Sequence, residues 1–234
     1  MAHIGIVACS AEGAALCYRT ICAEGAERLG GHDHPEVSMH TPPFAAYVDC
    51  LDRDDWEGVA ELMLASGERL AAIGADFLIC PDNTIHRALP LLAARSSRPW
   101  LHIAEVVAGE ADRRGFRRLG LTGTRWLVDS EVYPKKLRAN GLDFVRPEVA
   151  DRDTAHRIIM DELVHGVFEP ESIAEFEAIV GRLRAAGCDA VVLGCTEIPL
   201  ILSDENSPLP TLDSTRLLAR AALDRALAPV SPSE

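Results

Sequence analysis

Two residues whose side chains can transfer protons stand at matching places in the sequence. Asp82 and Cys195 each follow an apolar run and lie eight residues after a glycine that opens a Gly-x-Asp turn. The two glycines, Gly74 and Gly187, are 113 positions apart. Inversion of a stereocentre needs one group to remove a proton and a second group to return it from the opposite side. A carboxylate and a thiol placed in this way therefore predict acid/base chemistry at a carbon atom.

A second internal similarity runs in the same order along the chain. The segment from Gly5 to Tyr18 resembles the segment from Gly120 to Tyr133, with a tyrosine thirteen residues after the glycine in both, at an offset of 115. Two nearly equal offsets in the same order indicate two related lobes.

The elements that must position these residues follow an α/β pattern, because short apolar runs alternate with longer amphipathic stretches. The predicted strands are Ile4–Cys9, Glu36–His40, Asp76–Cys80, Trp100–Ile103, Arg118–Leu121, Asp143–Arg146, Ala190–Leu193 and Leu209–Leu212. The predicted helices are Glu12–Leu29, Asp55–Ile73, Ile85–Ala94, Ala104–Arg114, Leu127–Ala139, Asp153–His165, Glu171–Ala186 and Ser214–Leu227. A loop is predicted at Asp204–Pro210, and fraying of the tail after Pro229.

The expected fold is α/β, with two pseudo-symmetric lobes that are each a mostly parallel sheet flanked by helices. Residues 1–102 plus 213–234 form the first lobe and residues 103–212 the second. Open parallel sheets bind ligands at the carboxyl ends of their strands. The active site is therefore expected in a cleft between the lobes, with Asp82 and Cys195 on its two sides.

The charge balance limits the partners. Twenty-three basic against 36 acidic residues give a net charge of −13, and the only basic cluster is the short stretch 113–118. Nucleic acid and anionic membrane surfaces are therefore unlikely partners. A small carboxylate substrate remains possible, because backbone amides can bind an anion.

Several cofactors are excluded by the residues that are missing. The two lysines, Lys135 and Lys136, are adjacent on a predicted surface helix, whereas pyridoxal phosphate needs a buried lysine. No glycine-rich nucleotide motif occurs. The seven cysteines form no C-x-x-C pair, and His32, His34 and His40 lack metal-ligand spacing. We expect no cofactor, no metal and no disulfide framework. The amino terminus resembles no signal peptide and no run is long enough to span a membrane, so a cytoplasmic protein is expected.

Two loops carry a resemblance to a known family. The segments 81–86 (Pro-Asp-Asn-Thr-Ile-His) and 194–197 (Gly-Cys-Thr-Glu) resemble the signature loops of the cofactor-independent aspartate/glutamate racemase superfamily, with Glu197 closer to the aspartate racemase branch. The resemblance extends over almost the whole chain. It implies two α/β lobes with the site between them, a pair of acid/base cysteines, a small carboxylate-bearing substrate and a homodimer.

The chain departs from the family pattern on one side. Asp82 stands where the family has its first cysteine, and residues 8–11 (Ala-Cys-Ser-Ala) replace a glycine-rich loop. Cys80 lies two positions too early for a simple substitution. An ionised carboxylate can act as a base, but it is a poor proton donor near neutral pH. The catalytic pair is therefore predicted to be asymmetric. The resemblance assigns the α-proton of the L-enantiomer to Cys195.

The resemblance also implies supporting roles. The positions that match the family's carboxylate-binding residues are Ser10, Asn83, Thr84, Thr124 and Thr196. Helix capping is an alternative for such residues, above all for Ser10 and Thr124. His86 is predicted to tune Asp82 or to bind a substrate carboxylate, with a structural histidine as the alternative. Glu197 is predicted to orient a substrate amino group or to accept a proton from it, with a solvated cap as the alternative.

The sequence thus predicts a racemase or epimerase acting at the α-carbon of a small acidic amino acid such as aspartate or glutamate. Other members that resemble this fold use a single cysteine for decarboxylation or for cis–trans isomerisation. A decarboxylase, cis–trans isomerase or hydrolase that depends on Cys195 is therefore one alternative. A non-catalytic protein that binds a small acid is another, since the first thiol is absent.

Overall fold

The computed structural model describes residues 1–229, which divide into two compact units. Unit 1 comprises Met1–Ile103 together with the described residues from Leu218 onward, and unit 2 comprises Ala104–Leu217. Each unit contains one parallel sheet and its own helices, which confirms the predicted fold class. The predicted lobe boundaries, at 102/103 and 212/213, stay a prediction, because contacts do not test whether a unit folds by itself.

Unit 1 contains a three-stranded sheet in the order β2-β1-β3. Its strands are β1 (Ile4–Val7), β2 (Val37–His40) and β3 (Phe77–Ile79), all parallel. Every residue of β1 and β3 is buried, as expected for strands covered on both faces. The helices of this unit are α1 (Ala11–Leu29), α2 (Phe44–Asp52), α3 (Trp56–Ala72) and α4 (Leu89–Leu92), with a 3₁₀ turn at Thr84–Ala88 before α4.

Unit 2 contains a four-stranded sheet in the order β5-β4-β6-β7. Its strands are β4 (Arg118–Thr122), β5 (Asp143–Val145), β6 (Ala190–Leu193) and β7 (Thr211–Asp213), again all parallel. The helices of this unit are α5 (Ile103–Arg113), α6 (Arg125–Val128), α7 (Val132–Ala139), α8 (Val149–Arg157) and α9 (Pro170–Ala185). Helix α10 (Ser214–Leu227) begins in unit 2 and belongs to unit 1 from Leu218 onward. A π-helical turn at Ile158–Glu162 and a 3₁₀ turn at Leu163–His165 continue α8, and a 3₁₀ turn at Ile198–Leu200 follows β6.

The two sheets share one strand-pairing register. Gly5 of β1 lies opposite Leu78 of β3, and Gly120 of β4 lies opposite Val191 of β6. Gly120 lies 115 positions after Gly5, and Val191 lies 113 positions after Leu78, so these two pairs are related by the offsets found in the sequence. A Cβ atom on Gly5 would come within 2.6 Å of the Leu78 side chain, so close packing of the strand requires glycine there.

Each Gly-x-Asp turn fixes the start of a strand. Gly74 and Gly187 both have positive φ, 102° and 87°, which glycine adopts without strain. The Asp76 carboxylate accepts a hydrogen bond from the amide of His3 at 2.7 Å. In unit 2 the Asp189 carboxylate accepts hydrogen bonds from the amides of Arg117 and Arg118, at 2.6 and 3.1 Å, at the start of β4.

Some predicted elements differ from the structure. Trp100–Ile103 is not a strand: Trp100 forms one bridge to Leu78, and α5 already begins at Ile103. Helix α2 was not predicted, because two prolines precede it and its short length gives a weak periodicity. The predicted helix at 127–139 is interrupted between α6 and α7, and the predicted helix at 153–165 begins four residues earlier, as α8.

Candidate active site

Asp82 lies just beyond the carboxyl end of β3 and is half-buried. Its Oδ1 accepts a hydrogen bond from the amide of Ile85 at 3.2 Å, so the carboxylate caps the 3₁₀ turn that follows. Asn83, buried, and Thr84, half-buried, stand at the start of the same turn. The strand stops early because Pro81 has no amide hydrogen to continue the ladder.

His86 is held by contacts within unit 1. Its Nε2 lies 2.9 Å from the carbonyl oxygen of Cys80, and its Nδ1 accepts from the amide of Ile103 at 3.4 Å. These partners indicate a neutral ring with the proton on Nε2. The ring centroid of His102 is 4.8 Å away. Both ring nitrogens therefore have structural partners, which favours the structural alternative for His86.

Two hydroxyl residues of the predicted site act as helix caps. Ser10 accepts from the amide of Gly13 at 3.3 Å at the start of α1, and Thr124 accepts from the amide of Leu127 at 3.4 Å at the start of α6. Each follows the first strand of its unit, so the capping alternative has support in the geometry. A role in binding a carboxylate stays a prediction for both.

Cys195 lies just beyond the carboxyl end of β6, where the backbones of β4 and β6 come very close. The amide of Gly194 donates to the carbonyl of Thr122 at 3.1 Å. A Cβ atom on Gly194 would lie 2.4 Å from that same oxygen, so only glycine fits. Gly123 has a φ of 148°, and a Cβ atom there would lie 3.1 Å from the Gly194 carbonyl oxygen. Gly123 directly precedes the cap residue Thr124, and Gly194 directly precedes Cys195.

The thiol of Cys195 is paired with a carboxylate. Its Sγ donates to Oε2 of Glu197 at 2.9 Å, and the hydroxyl of Thr196 donates to the same oxygen at 2.7 Å. Cys195 is half-buried, whereas Glu197 is only 4% exposed. A carboxylate in contact with a thiol can accept its proton in a general acid/base step. The role of Cys195 as a base stays a prediction. The predicted contact of Glu197 with a substrate amino group stays a prediction.

The predicted site residues are divided between the two units. Unit 1 carries Ser10, Asp82, Asn83, Thr84 and His86, and unit 2 carries Thr124, Cys195, Thr196 and Glu197. Among residues 1–229, no group of three or more His, Cys, Asp or Glu side chains is arranged to hold a metal ion. None of the helices in that range combines the length and the apolar character needed to span a bilayer.

Tyr47 and Cys9 were missed as possible site residues. Tyr47, on α2, is 0% exposed, and its hydroxyl has no hydrogen-bond partner among the described residues. Cys9 and Cys80 pack in the same core cluster. Burial raises the pKa of the Cys80 thiol well above its usual value, and the nearby charge of Asp82 adds to the increase. The position of Cys9 next to Ser10, after a buried strand, was the available signal in the sequence.

Two parallel sheets that carry a carboxylate and a thiol at equivalent strand ends are an arrangement that an acid/base enzyme can use. The chain matches the family model described as Asp/Glu/Hydantoin racemase over residues 6–222, and it belongs to that family. This confirms the recognised resemblance and the predicted enzyme class, a racemase-like isomerase.

Known proteins agree with this assignment. The broad specificity amino-acid racemase RacX of Bacillus subtilis is 25% identical over 200 residues, which cover 84% of each chain. A candidate Asp/Glu racemase from Yersinia pestis has a TM-score of 0.90 at 28% identity, covering 97% of this chain and 100% of its own. An aspartate racemase homologue from Pyrococcus horikoshii has a TM-score of 0.83 at 26% identity, covering 97% and 99%.

Proposed function

We propose that the chain is a cofactor-independent racemase or epimerase acting at the α-carbon of a small acidic amino acid, aspartate or glutamate. Asp82 and Cys195 are its asymmetric acid/base pair. The observation that carries the proposal is their equivalence: both follow the third strand of their unit, at the carboxyl end of a sheet, and the shared register relates them. The family to which the chain belongs supports the same reaction.

The two groups divide the reaction between them. Glu197 accepts the thiol proton, and the Cys195 thiolate removes the α-proton from one face of the substrate. The resulting carbanion is protonated from the other face, on the side of Asp82. In the opposite direction the ionised Asp82 is the base. A carboxylate and a thiol differ by about 4 to 5 pKa units in their ordinary ranges, so near neutral pH only a small fraction of the enzyme carries a proton on Asp82 while Cys195 is a thiolate.

The substrate carboxylate is bound by the polar residues that surround the pair. Asn83 and Thr84 flank Asp82, and Thr196 follows Cys195 in the chain. The net charge of −13 does not oppose this, because neutral amide and hydroxyl donors bind the anion locally. The proposal also includes a homodimer in the cytoplasm that has no nucleic-acid or membrane partner.

Exchange of the α-proton tests the proposal. The purified chain is incubated with each enantiomer of aspartate and glutamate in D₂O, and α-deuterium and the enantiomer ratio are measured. We expect exchange and inversion, both lowered by about 10³-fold in Cys195→Ala. Cys188→Ala is the matched control, because burial raises the pKa of the Cys188 thiol to about 11 and keeps it protonated. Turnover of another substrate without amino-acid exchange would refute the racemase.

A second candidate is supported by the capping bond of Asp82. A carboxylate that is engaged with the amide of Ile85 can serve to shape a turn, and Cys195 would then act alone. A decarboxylase, a cis–trans isomerase and a hydrolase fit such a site. Release of CO₂ would identify a decarboxylase. A covalent adduct on Cys195, detected by mass spectrometry, would show that this thiol acts as a nucleophile. Stabilisation by small acids without any turnover would instead identify a binding protein.

A further inference from the structure

The loop after β1 carries a buried thiol for which the proposed reaction has no role. Cys9 lies two residues beyond the end of β1 and is 2% exposed. This is no deeper than Asn83, which is 3% exposed and has a predicted contact with substrate. Burial therefore does not separate Cys9 from the residues of the site.

Cys9 and Asp82 follow neighbouring strands at equal distances along the chain. Ile6 of β1 lies opposite Ile79 of β3, and Cys9 and Asp82 each lie three residues beyond this pair. β1 keeps its extended path almost to this point, because the amide of Ala8 donates to the carbonyl of the β2 residue at position 40 at 3.0 Å. A thiol and a carboxylate thus follow two neighbouring strands, and both carry charges that act on the buried Tyr47 hydroxyl.

The loop that holds Cys9 is longer than its counterpart in unit 2. There, Gly123 alone separates the end of β4 from the cap Thr124, whereas Ala8 and Cys9 separate the end of β1 from the cap Ser10. Cys9 therefore directly precedes the cap residue in unit 1, where unit 2 has Gly123, which carries no side chain.

An unpartnered hydroxyl lies in the same cluster. Tyr47 is 0% exposed, its hydroxyl has no partner among the described residues, and it packs in the core cluster that contains Cys9 and Cys80. Burial raises the pKa of Tyr47, and the charges of Cys80, Cys9 and Asp82 add to the increase. The hydroxyl therefore keeps its proton near neutral pH and is available as a donor. A buried donor without an acceptor is costly, and an anion formed beside it would satisfy it.

We propose that Cys9 holds the proton that Asp82 passes to the substrate carbon, and that the hydroxyl of Tyr47 stabilises the thiolate that remains. The S–H bond of Cys9 breaks as an O–H bond forms on Asp82, and that O–H bond breaks as the C–H bond forms. The proton moves from sulfur to carbon, and the negative charge of the carbanion ends on sulfur. Cys9 acts through Asp82 and is a positioning residue. The inference rests on the proposed racemase function.

In this arrangement Asp82 does not need to hold a proton before the reaction, because Cys9 supplies it. A carboxyl group with an ordinary pKa of about 4 holds almost no proton at pH 7.5, whereas a thiol of about 8.5 still holds one. The titratable groups of the elements packed around this cluster are Tyr47 and Cys50 on α2, Cys80 and Asp82 after β3, His86 on the following turn, His40 at the end of β2 and Cys17 on α1.

The test separates exchange from inversion. The substrate is the aspartate or glutamate enantiomer whose α-proton is removed by Cys195, in D₂O from pH 5.5 to 8.5. One readout is deuterium in the recovered enantiomer, and the other is formation of the opposite enantiomer. For Cys9→Ser, which keeps the size of the side chain, we expect inversion to fall about 10-fold or more at pH 7.5 while exchange changes less than about twofold. The loss should shrink towards pH 5.5, where Asp82 begins to hold its own proton.

Two further variants complete the experiment. Tyr47→Phe removes a hydroxyl that has no hydrogen-bond partner within residues 1–229, so we expect an unchanged Tm and a smaller fall of inversion at pH 7.5. Cys50→Ala, in the same core cluster, should leave inversion unchanged. If the wild-type chain shows no α-proton exchange, the proposed function is wrong and this step falls with it. If the wild type inverts its substrate and Cys9→Ser inverts it at the same rate at every pH, the proposed role of Cys9 is refuted while the proposed function stands. If Cys9→Ser does not fold, unchanged inversion in Tyr47→Phe refutes it.

Discussion

The loops after β3 and β6 occupy the same place in two related sheets, yet they are built differently. In unit 2 the amide of Gly194 extends the strand pairing, and two glycine backbones touch beneath the thiol. In unit 1 Pro81 stands at the equivalent position and cannot donate, so the strand pairing stops sooner. Asp82 then turns back to cap its own 3₁₀ turn.

The two units also differ in where the thiol and the carboxylate stand relative to the strands. Unit 2 has its thiol, Cys195, after the third strand and its carboxylate, Glu197, two residues later. Unit 1 has its carboxylate, Asp82, after the third strand and its thiol, Cys9, after the first. Duplicated backbones can therefore keep a register while the reactive groups change places. Strand topology alone does not define the acid and the base.

The largest effect is expected where the two loops differ in backbone contact. Gly194→Ala places a methyl group 2.4 Å from the Thr122 carbonyl oxygen, so one strand must shift. We expect a loss of about 2 to 3 kcal/mol in the free energy of unfolding, which lowers Tm by roughly 5 to 10 °C. Thermal unfolding monitored by circular dichroism measures it.

Pro81→Ala is the matched control in unit 1. It changes the equivalent residue, which already has a Cβ atom and whose nitrogen carries no hydrogen to donate, and we expect a change below about 1 kcal/mol. Equal losses in the two variants would show that the two loops are more alike than the strand pairing indicates.

The next effect concerns Asp82, the carboxylate that follows the third strand of unit 1. Asp82→Asn retains an oxygen that can accept from the amide of Ile85, so the turn stays capped while the charge and the acidic proton are lost. We expect inversion to fall about 10²-fold with little change in Tm. Chiral chromatography of the product measures the rate of inversion, and calorimetry measures Tm.

Asp82→Cys completes this comparison by placing a thiol at both strand ends. We expect it to retain inversion, with a pH dependence that follows the ionisation of two thiols. Full activity of Asp82→Asn would show that the carboxylate serves only as a cap, which is the basis of the second candidate function.

The smallest effect is expected at Glu197. Glu197→Gln keeps an oxygen that can accept from the thiol and from Thr196, but this oxygen is a much weaker base. We expect α-proton exchange through Cys195 to fall about 10-fold near neutral pH and to recover at higher pH, where the thiol ionises without help. A rate that is the same as in the wild type at every pH would assign Glu197 to structure or to substrate binding.

The sequence was informative where a pattern is local. Buried strands such as β1 and β6 are continuous apolar runs, and the repeated Gly-x-Asp turns predicted that Asp82 and Cys195 are equivalent. The amphipathic period likewise predicted α1, α3, α9 and α10 to within about one residue. These features depend on residue type and spacing, which are both visible in the sequence.

Other features depend on contacts that no local pattern encodes. Helix α2 follows two prolines that read as a loop, and it alone brings Tyr47 into the cluster with Cys9. The bond between Cys195 and Glu197 depends on the direction of two side chains across a turn. Trp100 has the residue type of a strand, but a single bridge is all that its position allows before α5 begins.

The two Gly-x-Asp turns have a consequence for how such an enzyme can change. Asp76 and Asp189 bind backbone amides at the amino ends of the sheets, and the reactive groups stand six residues further along, at the opposite ends. Strand alignment and reactivity are thus encoded by different residues of the same segment. Substitution at position 82 or 195 can then yield a new reaction without loss of alignment, and a change at position 76 or 189 can abolish activity from about 20 Å away along the strand.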